Sequence, residues 1–138
     1  MRRSIVVVLA TVLLAGCSGE EDFAYADVVE ALVDTGISVE EAGFTGGSPF
    51  STRAHRVVVG GHEVRVYEYA DVAGQEEEAA TIGMEGWSIN STPVEWIGWP
   101  HYWVRGRVIV LYLGDDASAI EMVTSALGPP LDLGDSEG

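Results

Sequence analysis

The hydropathy pattern divides the chain into one unbroken apolar run and several shorter periodic ones. Residues 5–15 are apolar or small without interruption, and an acidic segment begins at Glu20. Val28, Val29, Leu32 and Val33 then recur at i, i+1, i+4 and i+5, one stripe of a helix over residues 24–35, with Gly36 placed to stop it. Residues 37–49 are glycine-rich and predict a loop with a brief extended piece at 38–41. Strand-like stretches flank Gly60-Gly61, which predicts a hairpin of residues 51–59 with 62–69, followed by a helix over 72–82. Residues 94–104, broken at Pro100, predict a second hairpin with 107–113 around Arg105-Gly106. Ala119, Ile120, Val123 and Leu127 then mark a helix over 117–127.

The second hairpin and helix echo the first at a constant offset of 45 residues: Gly61, Tyr67, Asp71 and Gly83 align with Gly106, Tyr112, Asp116 and Gly128. Each copy reads strand, turn, strand, Asp cap, helix, glycine stop. The predicted fold class is α+β, an N-terminal helix followed by a tandem ββα repeat, with a four-stranded mainly antiparallel sheet packed with helices. The domain is expected to occupy residues 23–130, with 131–138 an acidic flexible tail.

Strand alternation sorts the aromatic residues. With Arg105-Gly106 as the turn, Trp103 faces Val108, His101 faces Val110 and Trp99 faces Tyr112. Trp99, His101, Trp103, Val108, Val110 and Tyr112 then share one side of the sheet, and the repeat adds Arg56, Arg65 and Tyr67 to it. Ile109, Leu111, Leu113, Val64 and Val66 point the other way, beneath the two repeat helices. Strand 107–113 is apolar on both faces, so its second side needs a cover. Either the first helix or residues 37–50 close over the aromatic side, making Trp99 and Trp103 core, or the face stays open for a partner protein or a small ring-bearing ligand such as a sugar.

Charge narrows the partners. Acidic residues outnumber basic ones 22 to 7, every basic residue is Arg, and the formal net charge is −15. Such a surface repels phosphate backbones and anionic headgroups, so nucleic acid is not an expected partner.

The apolar run acquires a meaning from its flanks. Arg2 and Arg3 precede it and Ala15-Gly16 follow it, the layout of a secretory signal. It is too short to span a bilayer, which takes about 20 apolar residues. Leu14-Ala15-Gly16-Cys17 resembles, at every position, the lipobox of bacterial lipoproteins. The resemblance implies a signal peptide of residues 1–16, lipidation of Cys17, a tether of residues 17–22, and a bilayer as partner through the lipid. Acyl chains contribute ~0.8 kcal/mol per buried CH₂, so two or three hold the chain without help from protein surface. Cys17 is the only cysteine, so its lipidation leaves no disulfide and no thiolate chemistry. The implied location is the cell membrane or outer membrane, with the domain facing the periplasm or exterior.

The remaining residues carry little catalytic signal. His55, His62 and His101 lie at no zinc-like spacing, the Gly-x-Ser-x-Gly and phosphate-loop patterns are absent, and Glu76-Glu77-Glu78 reads as a solvated helical face. No cofactor and no metal are expected. Glu68-Tyr69-Ala70-Asp71, Trp96, Pro100-His101-Tyr102 and residues 106–112 resemble a family of small, functionally uncharacterised bacterial lipoproteins, which implies no activity. The expected function is a non-catalytic binding or assembly-support role in the cell envelope. Its alternatives are an envelope-acting hydrolase, requiring His101 beside an acid such as Glu95 or Asp115, and an inhibitor or immunity-type module.

Overall fold

A computed structural model describes residues 20–133. The expected signal peptide, the expected lipidation site Cys17 and residues 134–138 lie outside that range. Helix α1 (Tyr25–Val33) is followed by strands β1 (Val39–Phe44), β2 (Ala54–Val59) and β3 (His62–Glu68), then helix α2 (Val72–Ala79). A 3₁₀ turn (Met84–Gly86) and a small hairpin of β4 (Ser88–Ile89) and β5 (Thr92–Pro93) lead to β6 (Pro100–Arg105), β7 (Val108–Leu113) and helix α3 (Ala117–Leu127). The main sheet has the order β1-β2-β3-β7-β6, and every pairing in it is antiparallel.

The fold is α+β, but the sheet has five strands rather than four. The segment expected to be mostly loop supplies β1, whose register with β2 is interrupted between Glu41 and Phe44. Its side chains are exposed or half-buried along both faces, so no apolar alternation marks it.

Helices α1 and α3 each bury one narrow stripe. Val28 and Leu32 of α1 and Ala119, Val123 and Leu127 of α3 are buried at i, i+4 spacing against Val57, Val59, Val64, Val66, Val108, Val110 and Trp103. The Asp116 carboxylate starts α3 by accepting from the Ser118 and Ala119 amides at 2.9 and 3.3 Å. Asp71 likewise accepts from the Gly74 amide at 2.8 Å to start α2. On the sheet's opposite face Phe50, Ala54, Tyr67, Ile109, Leu111 and Tyr102 form a second core, with Ala79 of α2 and Leu131 and Leu133 packed against it.

Two geometric expectations are corrected. The second hairpin turns at Gly106-Arg107, pairing Arg105 with Val108, so His101 faces Tyr112 and Trp103 faces Val110. That slip of two residues preserves which face each side chain occupies. The 45-residue offset fails instead, because β3 and β7 pair Tyr67 with Ile109 and Val64 with Tyr112. Tyr67 and its sequence counterpart Tyr112 therefore point to opposite faces. Arg56, Arg65 and Tyr67 do not join the Trp103 side, and Val64 and Val66 do. Helices α2 and α3 lie on opposite sides of the sheet, so the recurring ββα order is not a repeated three-dimensional unit.

Candidate functional site

The aromatic set divides sharply by burial. Trp103 is 1% exposed beneath α1 and α3, and its Nε1 donates to Thr124 Oγ1 at 3.3 Å. Tyr112 is buried on the same side, and Tyr67 is buried on the other, edge-on to Phe50 at 4.7 Å. Arg56 and Arg65 share the Glu63 carboxylate at 3.2 and 3.4 Å, which holds its pKa below the usual range despite the opposing effect of burial. His101 is half-buried with its ring stacked on Tyr112 at 6.1 Å, and its Nε2 has no hydrogen-bond partner. Burial lowers the His101 pKa, while a backbone hydrogen bond with Gly114 and the Asp115 charge pull it back. Trp99 alone of the predicted aromatics stands open, at 52% exposure.

Trp99 sits on a braced surface. It precedes β6, and its carbonyl accepts from the Gly114 amide at 2.9 Å. The Trp87 ring meets it edge-on, centroids 5.4 Å apart at 78°. Trp87 is carried by the segment after the 3₁₀ turn, which is pinned from both sides: the Gly86 carbonyl accepts from Trp96 Nε1 and from the Tyr102 hydroxyl, each at 3.0 Å. Glu85 enters that turn with φ +62°, a left-handed conformation uncommon for a residue with a side chain. Met84, which begins that turn, and Ile97, in the loop before β6, are 63% and 90% exposed. Beside Trp99 opens a cleft of about 370 Å³, lined by Trp99, His101, Tyr102, Pro130 and Leu133 together with Glu85 and Asp132.

A second cluster joins residues far apart in sequence. The Tyr25 ring stacks on His55 at 3.6 Å, its hydroxyl donates to Glu41 at 2.7 Å, and Glu68 accepts from the Tyr25 amide at 3.1 Å while Arg107 reaches it at 3.4 Å. Burial and the Glu41 hydrogen bond push the Tyr25 pKa up, and burial lowers that of His55 against the pull of Glu68 and Glu41. Sequence reading missed this cluster. The Gly60-Gly61 turn does set His55 opposite Val66, one diagonal from Glu68, but no local signal brings α1 over that pair. The arrangement fastens the first turn of α1 to the sheet, filling an open helix N-terminus with a carboxylate.

His55 and His62 approach Glu68 and Asp116 at 3.9 and 3.7 Å, beyond hydrogen-bond reach. Among the described residues no group of three or more His, Cys, Asp or Glu side chains is arranged to hold a metal ion, and no helix is long and apolar enough to cross a membrane. Comparison with protein-family models, curated proteins and solved structures yields no match to this chain.

Proposed function

We propose that this chain is an exported lipoprotein, anchored in a cell-envelope membrane through Cys17, that works by binding a partner through the surface around Trp99. The observation carrying the reading is the contrast between Trp99, half exposed in a braced loop, and Trp103, sealed in the core four residues later. An exposed tryptophan supplies a large rigid contact area of the kind that dominates binding energy. The lipobox resemblance supports the address, and the lack, among the described residues, of a convergent acid, base and nucleophile weighs against the hydrolase alternative.

The order of elements also suits an anchored binder. Glu20, three residues after Cys17, pairs with Arg105 at 3.3 Å, and the Phe23 carbonyl accepts from the Arg107 amide at 2.8 Å. Residues 20–23 therefore lie at the Gly106 end of β6. Trp99 lies at the other end of that strand, about 20 Å away at 3.3 Å per residue. That separation of Trp99 from the described N-terminal segment supports a contact surface distinct from the proposed anchor.

Mass spectrometry of the native protein tests the address: a chain beginning at an acylated Cys17 is expected, and one retaining Met1 refutes export and lipidation together. Affinity recovery of the native lipoprotein tests the contact. Trp99→Ala is expected to deplete a co-purifying envelope protein that the wild type retains, and unchanged recovery of every such protein refutes the Trp99 reading.

A further inference from the structure

Strand β6 is an edge of the main sheet, and its outer side is occupied at two points. The Leu131 amide donates to the Tyr102 carbonyl at 2.6 Å. At the far end residues 20–23 lie against Gly106, where Glu20 pairs with Arg105 at 3.3 Å. The pairing with β7 fixes which backbone groups remain. Arg105 sits opposite Val108 across the Gly106-Arg107 turn, and the Trp99 carbonyl accepts from the Gly114 amide at 2.9 Å. Residues 99, 101, 103 and 105 therefore turn their backbone groups toward β7, while Tyr102 and Val104 turn theirs outward. On that outer side neither the N–H nor the C=O of Val104 has a backbone partner among the described residues. Beside Val104 opens a slot of about 530 Å³, lined by Val104 and Leu131 and by Val72, Gln75, Ala79 and Ala80. Gln75 is the one residue that α2 buries, at 4% exposure. Its side-chain amide has no hydrogen bond among the described residues and is not one of the polar groups sealed from solvent, so it is reached from the slot it lines. That amide adds a donor and an acceptor to those of Val104.

We infer that this slot binds a short oligopeptide in extended conformation, its backbone paired with Val104 and one of its peptide groups bonded to the Gln75 amide. A free donor and acceptor on an edge-strand residue are a template for an added strand. The Gln75 amide offers the same two groups again, matching the recurring N–H and C=O of a peptide chain. Val72, Ala79, Ala80 and Leu131 give the slot apolar walls, which suit small uncharged side chains. Its length is limited. From Tyr102 to Gly106 the edge runs about 13 Å at ~3.3 Å per residue, and Leu131 and residues 20–23 close the two ends. About three residues fit between them. The inference adds a ligand at a place that the Trp99 reading does not use, so either stands without the other.

The test is a titration of the full chain, in neutral detergent, with blocked tripeptides built from alanine, valine, leucine and serine. The control is the same set N-methylated along the backbone, which keeps the side chains and removes the N–H donors. The readout is the Val104 backbone amide and the Gln75 side-chain amide in nuclear magnetic resonance, the latter assigned by its loss in Gln75→Met. At least one tripeptide is expected to shift both signals saturably and to bind about fivefold more tightly than its N-methylated form. Gln75→Met is expected to weaken binding about fivefold, and Val104→Pro, which removes the free donor at an edge position, to abolish it. Glu40→Gln, on the opposite edge of the sheet, changes nothing. If Val104→Pro does not fold, Gln75→Met and the N-methylated set decide. Equal binding of the two sets, binding unaffected by Gln75→Met, or no saturable shift of either signal overturns the inference. The best tripeptide sequence placed in the middle of a long unstructured chain is expected to bind more weakly, because the ends of the slot are closed. Equal binding there overturns the short ligand and makes a segment of a partner protein the occupant.

Discussion

At Gly106 the backbone has φ +54°, and a Cβ built there falls 2.6 Å from Phe23 Cβ, 2.6 Å from the Phe23 carbonyl oxygen and 2.7 Å from that of Glu20. Two of those neighbours are backbone atoms of the segment leading from Cys17, so they cannot swing aside. Gly106→Ala is expected to cost about 2–4 kcal/mol in urea denaturation, from the left-handed conformation and the clash together. Gly61→Ala, at φ +87° with open space around it, should cost only the conformational part, about 1–2 kcal/mol. Equal costs would mean that the N-terminal segment is not seated on the hairpin. His55 and His101 give a second expectation. Burial lowers both below the ordinary 6.5, so the unfolded chain takes up protons first as pH falls. Stability should begin to decline as pH falls toward the ordinary 6.5 and level off below the lowered folded-state values. The carboxylate of Glu63, also lowered, stabilises the fold above its ordinary 4.5 and loses that contribution only as pH falls below it. Melting curves of a His55→Gln, His101→Gln double variant should be flatter over that interval. At this scale the sequence makes Trp99 and Trp103 alike, because strand alternation gives them the same parity. They differ because regular pairing begins at Pro100, leaving Trp99 ahead of the ladder where no helix covers it.

Among the elements, α2 depends most on its cap. It is eight residues long and buries only Gln75, whereas α3 buries three side chains along one stripe. Asp71→Ala should therefore cost about 1 kcal/mol and raise hydrogen exchange across α2, leaving α3 protected. Unchanged exchange would show that packing rather than the cap holds the helix. How legible each element was follows from the same physics. Helix α3 was readable end to end because an Asp cap, an i, i+4 stripe and Gly128 agree. The first hairpin was readable from Gly60-Gly61, and β2 and β3 pair Val59 with His62 around it. Strand β1 was hidden because Glu40, Glu41 and Gly43 break alternation on an edge strand that packs little. The face assignment of Arg56, Arg65 and Tyr67 was out of reach, because pairing between β3 and β7 joins hairpins separated by α2 and the β4-β5 excursion, and no local turn fixes it.

For the molecule as a whole, charge governs behaviour in solution. With a formal net charge of −15, self-repulsion opposes compaction, and salt screens it over a Debye length of ~10 Å at 0.1 M. The melting temperature should rise as sodium chloride is raised from about 10 mM to about 150 mM, and a fall would mean that the arginine pairs outweigh repulsion. The two ends of β6 divide the proposed work, with the Gly106 end against Glu20 and Phe23 and the Trp99 end proposed to face a partner. Among the sequence's candidate contact residues, burial removes Trp103, Tyr67 and Tyr112 and pairing occupies Arg56 and Arg65. Trp99 remains, with His101 in the same cleft. The most direct measurement is photo-crosslinking in intact cells, with a benzophenone amino acid replacing Trp99 in one strain and exposed Glu40 in another. The account predicts a discrete adduct to a second protein from position 99 and none from position 40. Equal adduct patterns from the two positions, or none from either, would contradict it.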